Sequence, residues 1–204
     1  MKKLLLTGLL ALTLIASGLY YSFVYPPNVL KKRTDAALES FAESVATKDR
    51  AKISESLKVL LTDDAKIQLN VSFFAIIQAN ANKPIAQDFT KDTFITFIDN
   101  VLYPLTDYSY TPTLETFTLA DDEQTAAVTF TSKQWADGAA LFGGVSVDTR
   151  TSADANCEGY VRFTDDTAQL VQATCALSLR TVPKPGQELK LQNSTDAMRE
   201  YLQK

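Results

Sequence analysis

The first constraint on any chemistry this chain could do is that its 204 residues include no histidine. Acid–base catalysis would then need a carboxylate whose pKa is raised by burial. Asp137, two residues after the only tryptophan, Trp135, is the acid that the pattern places near a pocket rim. The plainer reading of Asp137-Gly138 is a turn. Tyr108 and Tyr110 share one face of a strand, where they could offer hydroxyls to a ligand or simply pack. No serine sits in a recognisable nucleophile turn and no glycine-rich phosphate loop is present. The carboxylates are scattered, so the pattern implies neither a metal site nor a cofactor. The formal charge is −4, and without Lys2 and Lys3 it would be −6, which argues against a nucleic-acid surface.

The two cysteines, Cys157 and Cys175, lie in a predicted hairpin whose strands alternate apolar and polar residues. A three-residue loop Asp165-Asp166-Thr167 sets Thr164 opposite Ala168, Val161 opposite Val171, Gly159 opposite Ala173 and Cys157 opposite Cys175. Facing residues in an antiparallel pair are close enough for a disulfide. Two reduced, buried cysteines are the alternative.

That hairpin closes a sheet of at least four strands running from Tyr108 to Thr181. Asp107 to Leu119 and Thr125 to Lys133 form its first pair. Trp135 to Gly144 is read as an interruption with bends or bulges, Val145 to Thr151 as a resumed strand, and Ser152 to Asn156 as a turn. Trp135 has the phase of Thr129 and Thr131 rather than that of Val128 and Phe130. It therefore reaches a pocket only if a bulge near Lys133 reverses the alternation.

Upstream, Val29 to Ala46 has a helical apolar stripe, and a shorter helix capped by Asp49 carries Ile53, Leu57 and Leu60. Lys66 to Phe73 alternates as a strand, while Phe74 to Ile85 has no firm pattern. Thr90 caps a helix over Lys91 to Tyr103, with Phe94, Phe97, Ile98, Val101 and Leu102 on one side, and Pro104 ends it. Its apolar side is expected to close over the sheet, placing Phe94 and Phe97 inside a cone with Tyr108, Tyr110 and Trp135 near the mouth.

Met1-Lys2-Lys3, the apolar run Leu4 to Ile15 and Ala16-Ser17-Gly18 make a secretory signal. It is either cleaved before Leu19, releasing a soluble domain, or retained as an anchor over Leu4 to Tyr25, with Tyr20, Tyr21 and Tyr25 at the interface. The expected organisation is a signal or anchor at 1–27, one folded domain at 28–182 and a polar tail at 183–204. The expected location is the periplasm, with anchoring to the inner membrane, since paired cysteines favour an oxidising space.

Four stretches carry a family resemblance: Phe41 to Asp49, Leu61 to Ile67, Thr90 to Phe97 and Leu105 to Tyr110. The order of two helices, a strand, a capped helix and four meandering strands resembles the nuclear transport factor 2-like superfamily, in particular its exported bacterial members. The resemblance implies an α+β fold in which a curved antiparallel sheet packs against about three helices as a cystatin-like cone. In that superfamily the cone hosts isomerases, dehydratases and hydrolases, or merely binds, or is filled, so fold alone does not assign chemistry. The expected function is a non-catalytic ligand-binding or protein-interaction domain at the outer face of a bacterial inner membrane. The alternatives are an assembly scaffold of the envelope or a secretion system, and a small-molecule isomerase or lyase with a carboxylate base. The candidate partners are the inner membrane through the N-terminal helix, a small apolar ligand, envelope proteins, and a second copy in a homodimer.

Overall fold

A computed structural model of the chain describes residues 25–74, 85–142, 145–164 and 167–187. The expected signal or anchor segment before Tyr25 and the C-terminal helical turns at 195–202 lie outside the described residues. Among the described residues no helix is long and apolar enough to cross a membrane.

The first apolar stripe makes helix α1, Pro26–Ala46, which begins three residues earlier than its pattern because Pro26 and Pro27 occupy the first turn. A missing N–H costs nothing there, since the first-turn amides have no helical partner. Lys48 then takes a left-handed conformation, φ 60°, and turns the chain. Asp49 accepts hydrogen bonds from the backbone N–H groups of Ala51 and Lys52 and so opens α2, Arg50–Leu60. Thr90 and Thr93 cap each other at the start of α3, Lys91–Leu102. The Arg50 guanidinium joins α2 to α3 through two hydrogen bonds of 2.7 Å to the Asp99 carboxylate.

The helices pack on one face of a curved six-stranded sheet. Its strands are β1 (Leu61–Phe74), β2 (Ile85–Thr90), β3 (Asp107–Leu119), β4 (Thr125–Phe142), β5 (Val145–Thr164) and β6 (Thr167–Pro183), in the order β2-β1-β6-β5-β4-β3. The fold is α+β as expected, but the sheet is mixed rather than wholly antiparallel. After α3 the chain starts a new meander at the far edge and works back, so β6 arrives beside β1 and runs parallel to it.

Several local expectations change for physical reasons. Ser152 to Asn156 is the middle of the 20-residue β5, not a turn. There Ala153 and Ala155 are buried while Ser152, Asp154 and Asn156 are exposed, and alanine is too weakly apolar to reveal the period. Likewise β4 runs unbroken through Trp135, Asp137 and Gly138. The hairpin between β5 and β6 pairs Thr164 with Thr167 across a two-residue loop, and an extra residue, Val171, restores the register to Gly159 opposite Ala173. Gly159 serves this close approach, because a Cβ at that position would collide with the Gln172 carbonyl oxygen. An additional strand, β2, begins at Ile85, where the patternless region ends, and runs to Thr90, while 75–84 lies outside the described residues.

The main core joins Ile67, Leu69, Phe89, Val128, Phe130, Val161 and Ala173 beneath Ala37, Leu38, Phe94 and Phe97. Within it Cys157 and Cys175 face each other with Cα atoms 4.1 Å apart and form the expected disulfide. Both are buried, so the bond ties two adjacent strands from inside the core. Removing it with Cys157→Ser and Cys175→Ser together is expected to lower the unfolding free energy by about 3 kcal/mol, as for a closed loop of this size. A urea midpoint unchanged by the double substitution would show that the bond adds nothing.

Candidate functional site

Strand alternation divides the sheet into a concave face under the helices and an outer face. Residues opposite each other share a face, so the registers assign each position. The concave phase runs through Tyr108 and Tyr110 on β3, Ala126 to Gly138 at even numbers on β4, and Val147 to Val161 at odd numbers on β5. It continues through Ala173, Cys175, Leu177, Leu179 and Thr181 on β6 and Ile67, Leu69 and Val71 on β1. Among the described residues, at the positions that the strand registers assign, this face of the sheet carries no charged side chain, while residues 62–65 of β1 fall in a register shift, where Asp63 bridges to Lys91 at 2.8 Å.

Tyr108 is buried in a second apolar cluster with Val45, Ile53 and Leu57, and desolvation raises its hydroxyl pKa. Tyr110 borders the same cluster, with the Phe41 ring edge-on at 5.2 Å. Burial pushes its hydroxyl up to about 12, against a weaker opposing effect of the nearby Ser132 hydroxyl. Ser132 also accepts a hydrogen bond from Gln134 Nε2 at 3.0 Å. Tyr110, Ser132 and Gln134 therefore form a polar trio on an otherwise apolar face. Ser132 and Gln134 were not singled out by sequence reasoning, although a signal existed: both continue the phase of Val128 and Phe130.

Phe94 and Phe97 point to the same side. Their rings lie 5.7 Å and 4.9 Å from that of Phe89, and Phe94 touches both clusters. The best-formed internal space among the described residues holds about 20 Å³, between α1 and Val128, Phe130 and Leu170. That is room for one water. Thr34, which lines it, already donates its hydroxyl proton to the Leu30 carbonyl.

Trp135 and Asp137 lie on the outer face. The register from Lys133 to Asp137 is regular, and the bulge in this strand pair falls on β3 at Glu115. Four of the six candidate residues thus share the concave side, while Trp135 and Asp137 are separated from them by the sheet. Asp137 is nonetheless buried, with its side chain 6% exposed. Arg150 holds it with Nε to Oδ1 at 2.7 Å and Nη2 to Oδ2 at 2.9 Å, and Lys184 Nζ approaches Oδ2 at 2.9 Å. The hydrogen bond from Arg150 contributes most to holding this carboxyl far below the ordinary carboxylate range, outweighing burial. Such a group stays ionised and tied up, so it cannot serve as a base near neutral pH.

Trp135 completes this outer cluster. Arg150 lies 4.5 Å and Lys48 5.7 Å from its ring, and Lys48 also bridges to Asp107 at 2.9 Å and covers the Tyr108 ring at 4.7 Å. The left-handed turn at Lys48 thus ties the end of α1 to the edge of the sheet. No group of three or more metal-ligating side chains occurs among the described residues.

The depressed pKa of Asp137 sets a testable pH dependence. Its folded pKa lies below the unfolded value of about 3.9, so its contribution to stability is present above about pH 4 and is lost as pH falls toward the folded pKa. Asp137→Asn is expected to cost on the order of 1 to 2 kcal/mol at pH 7, because Arg150 and Lys184 are partly exposed and water screens them. Urea unfolding at several pH values should show the gap between the two proteins narrowing as pH falls below about 4. A gap that stays constant would contradict the assignment.

No family model matches the sequence, and no curated protein matches it. Among solved structures the chain is similar to a candidate scytalone dehydratase from Novosphingobium aromaticivorans, at 9% identity and a TM-score of 0.53, with 78% of this chain and 89% of that one covered. It is also similar to a conserved protein from Planctomyces limnophilus, at 13% identity and a TM-score of 0.51, with 75% and 96% covered. Identities this low describe a shared fold rather than a shared activity. Among the described residues, three helices on the concave side of a six-stranded sheet give the chain the fold of these two structures, the α+β cone that the nuclear transport factor 2-like resemblance implies.

Proposed function

We propose that this domain is a non-catalytic protein-interaction module that works in an oxidising compartment, at the outer face of a bacterial inner membrane. The observation that carries the reading is that the concave positions assigned by the strand registers are uncharged among the described residues. Elimination or isomerisation by proton transfer needs a base with a pKa near the working pH, placed against the substrate. The ionisable groups at its assigned positions are Tyr108 and Tyr110, neutral at pH 7 as tyrosines ordinarily are, and burial raises both further. A candidate dehydratase shares the fold, but a lyase reading of this chain would need a carboxylate on the same face as Tyr110, and Asp137 is on the other.

The small internal space favours protein partners over a small apolar ligand, because a pocket for such a ligand ordinarily exceeds 20 Å³ by more than tenfold. The disulfide is compatible with an oxidising compartment, and the apolar stretch Leu4 to Tyr25 is long enough to anchor the chain. Native mass spectrometry of the full chain extracted from its own envelope tests the reading. The expected result is a complex with another protein and no small molecule bound in stoichiometric amount. A stoichiometric small molecule, displaced by Ser132→Phe, would replace the interaction reading with ligand binding in the cone.

A further inference from the structure

We propose that the open edge of β2 is a docking site for an extended segment of a partner protein, one that alternates aliphatic and basic residues. The proposal rests on the reading of the domain as a protein-interaction module and names the class of partner. A sheet edge presents unpaired backbone N–H and C=O groups, a ready template for another strand unless the fold protects it.

The edge at β3 is protected. Pro112 has no N–H to donate, the bulge at Glu115 breaks the regular spacing, and α1 packs alongside through Phe41 on Tyr110 and Lys48 on Asp107. Among the described residues the edge at β2 has none of these devices. Its six residues pair with β1 in unbroken register, from Lys66 opposite Thr90 to Val71 opposite Ile85, and no described strand follows on the other side. Ile85 is 58% exposed, residues 86–88 and Thr90 are exposed, and only Phe89 is buried.

An added strand would inherit the alternation of β2. Ile85, Gln87 and Phe89 continue the phase of Val71, Leu69 and Ile67, next to the half-buried Phe97 that packs on Phe89. Aliphatic side chains of the partner would fall on this side. Ala86, Asp88 and Thr90 take the other phase, and Asp88 is the one charged residue of the strand. It accepts a hydrogen bond from Gln68 Nε2 at 2.8 Å and still projects an exposed carboxylate, which a basic side chain of the partner complements.

A second copy of the chain is the poorer occupant. Pairing β2 with its own two-fold mate would join strips about 20 Å long. That contact falls well short of the roughly 1,200 Å² at the low end of stable interfaces between folded proteins. An extended segment needs no such area, since main-chain hydrogen bonds supply much of its binding and the alternate side chains its selectivity.

The test uses the full chain and an acetylated eight-residue synthetic peptide alternating valine and lysine, followed by amide hydrogen exchange. Bound peptide is expected to slow exchange within Ile85–Thr90 by about tenfold or more. A peptide N-methylated at every amide should have no effect. Asp88→Lys, at an exposed position, should weaken the valine–lysine peptide by about fivefold and strengthen a valine–glutamate peptide by a similar factor. Ile85→Ser gives a second readout at the apolar phase and should weaken both peptides. Three results would overturn the proposal: no protection of β2, protection indifferent to both substitutions, or protection that depends on protein concentration without peptide, which would put a second copy on the edge. None of these would remove a protein partner found by native mass spectrometry, which would then bind elsewhere on the domain.

Discussion

The rest of this structure depends on the separation of charge between the two faces of one curved sheet. Alternate residues of a strand point to opposite sides, so a charge on the wrong phase would be carried into the space beneath the helices. The chain keeps the concave positions that the registers assign uncharged, and the ion pairs of the sheet lie on the outer face or around its ends. Asp137 shows how strictly this holds. It is deeply buried, yet Arg150 and Lys184 surround it on the outer side, where their own charges still reach water. The disulfide, placed on the apolar side at the centre of the same sheet, ties the two strands that follow β4 without adding a polar group.

Where a local signal was strong, the sequence was enough. Asp49 and Thr90 cap the helices that their patterns open, and the facing of Cys157 and Cys175 follows from the alternation around them. The hairpin loop is one residue shorter than the alternation implies, and the bulge at Val171 restores the register, so the apolar pattern carries no trace of either. Pairing between distant strands had no local signal at all. Nothing in Lys66 to Phe73 reveals that its neighbour is β6 and that the two run parallel. β2 was hidden because only one of its six residues is buried, which leaves little periodicity to read.

The candidate site was legible in part. Tyr108 and Tyr110 were assigned to one strand face and share the concave side, and Phe94 and Phe97 pack over it. The phase of Trp135 already pointed outward, and the regular register of β4 keeps it and Asp137 there. Ser132 and Gln134 were overlooked because serine and glutamine in an alternating run are ordinarily read as solvent-facing; only the phase of Val128 and Phe130 reveals them. The polar trio they form with Tyr110 can orient a hydrogen-bonding group but has no proton to exchange near pH 7.

The central claim, that the concave face is intolerant of charge, is tested most directly by placing a carboxyl on it. Ser132→Asp puts one at a position now 4% exposed, beside Tyr110. Titration of the introduced carboxyl by NMR should give a pKa above about 6, because burial without a cationic partner disfavours the charged form. The folded state should lose stability as pH rises through that value, since the unfolded chain gives up its proton first. A carboxyl that titrates near 4, with no such loss, would mean that water reaches the face and would contradict the account.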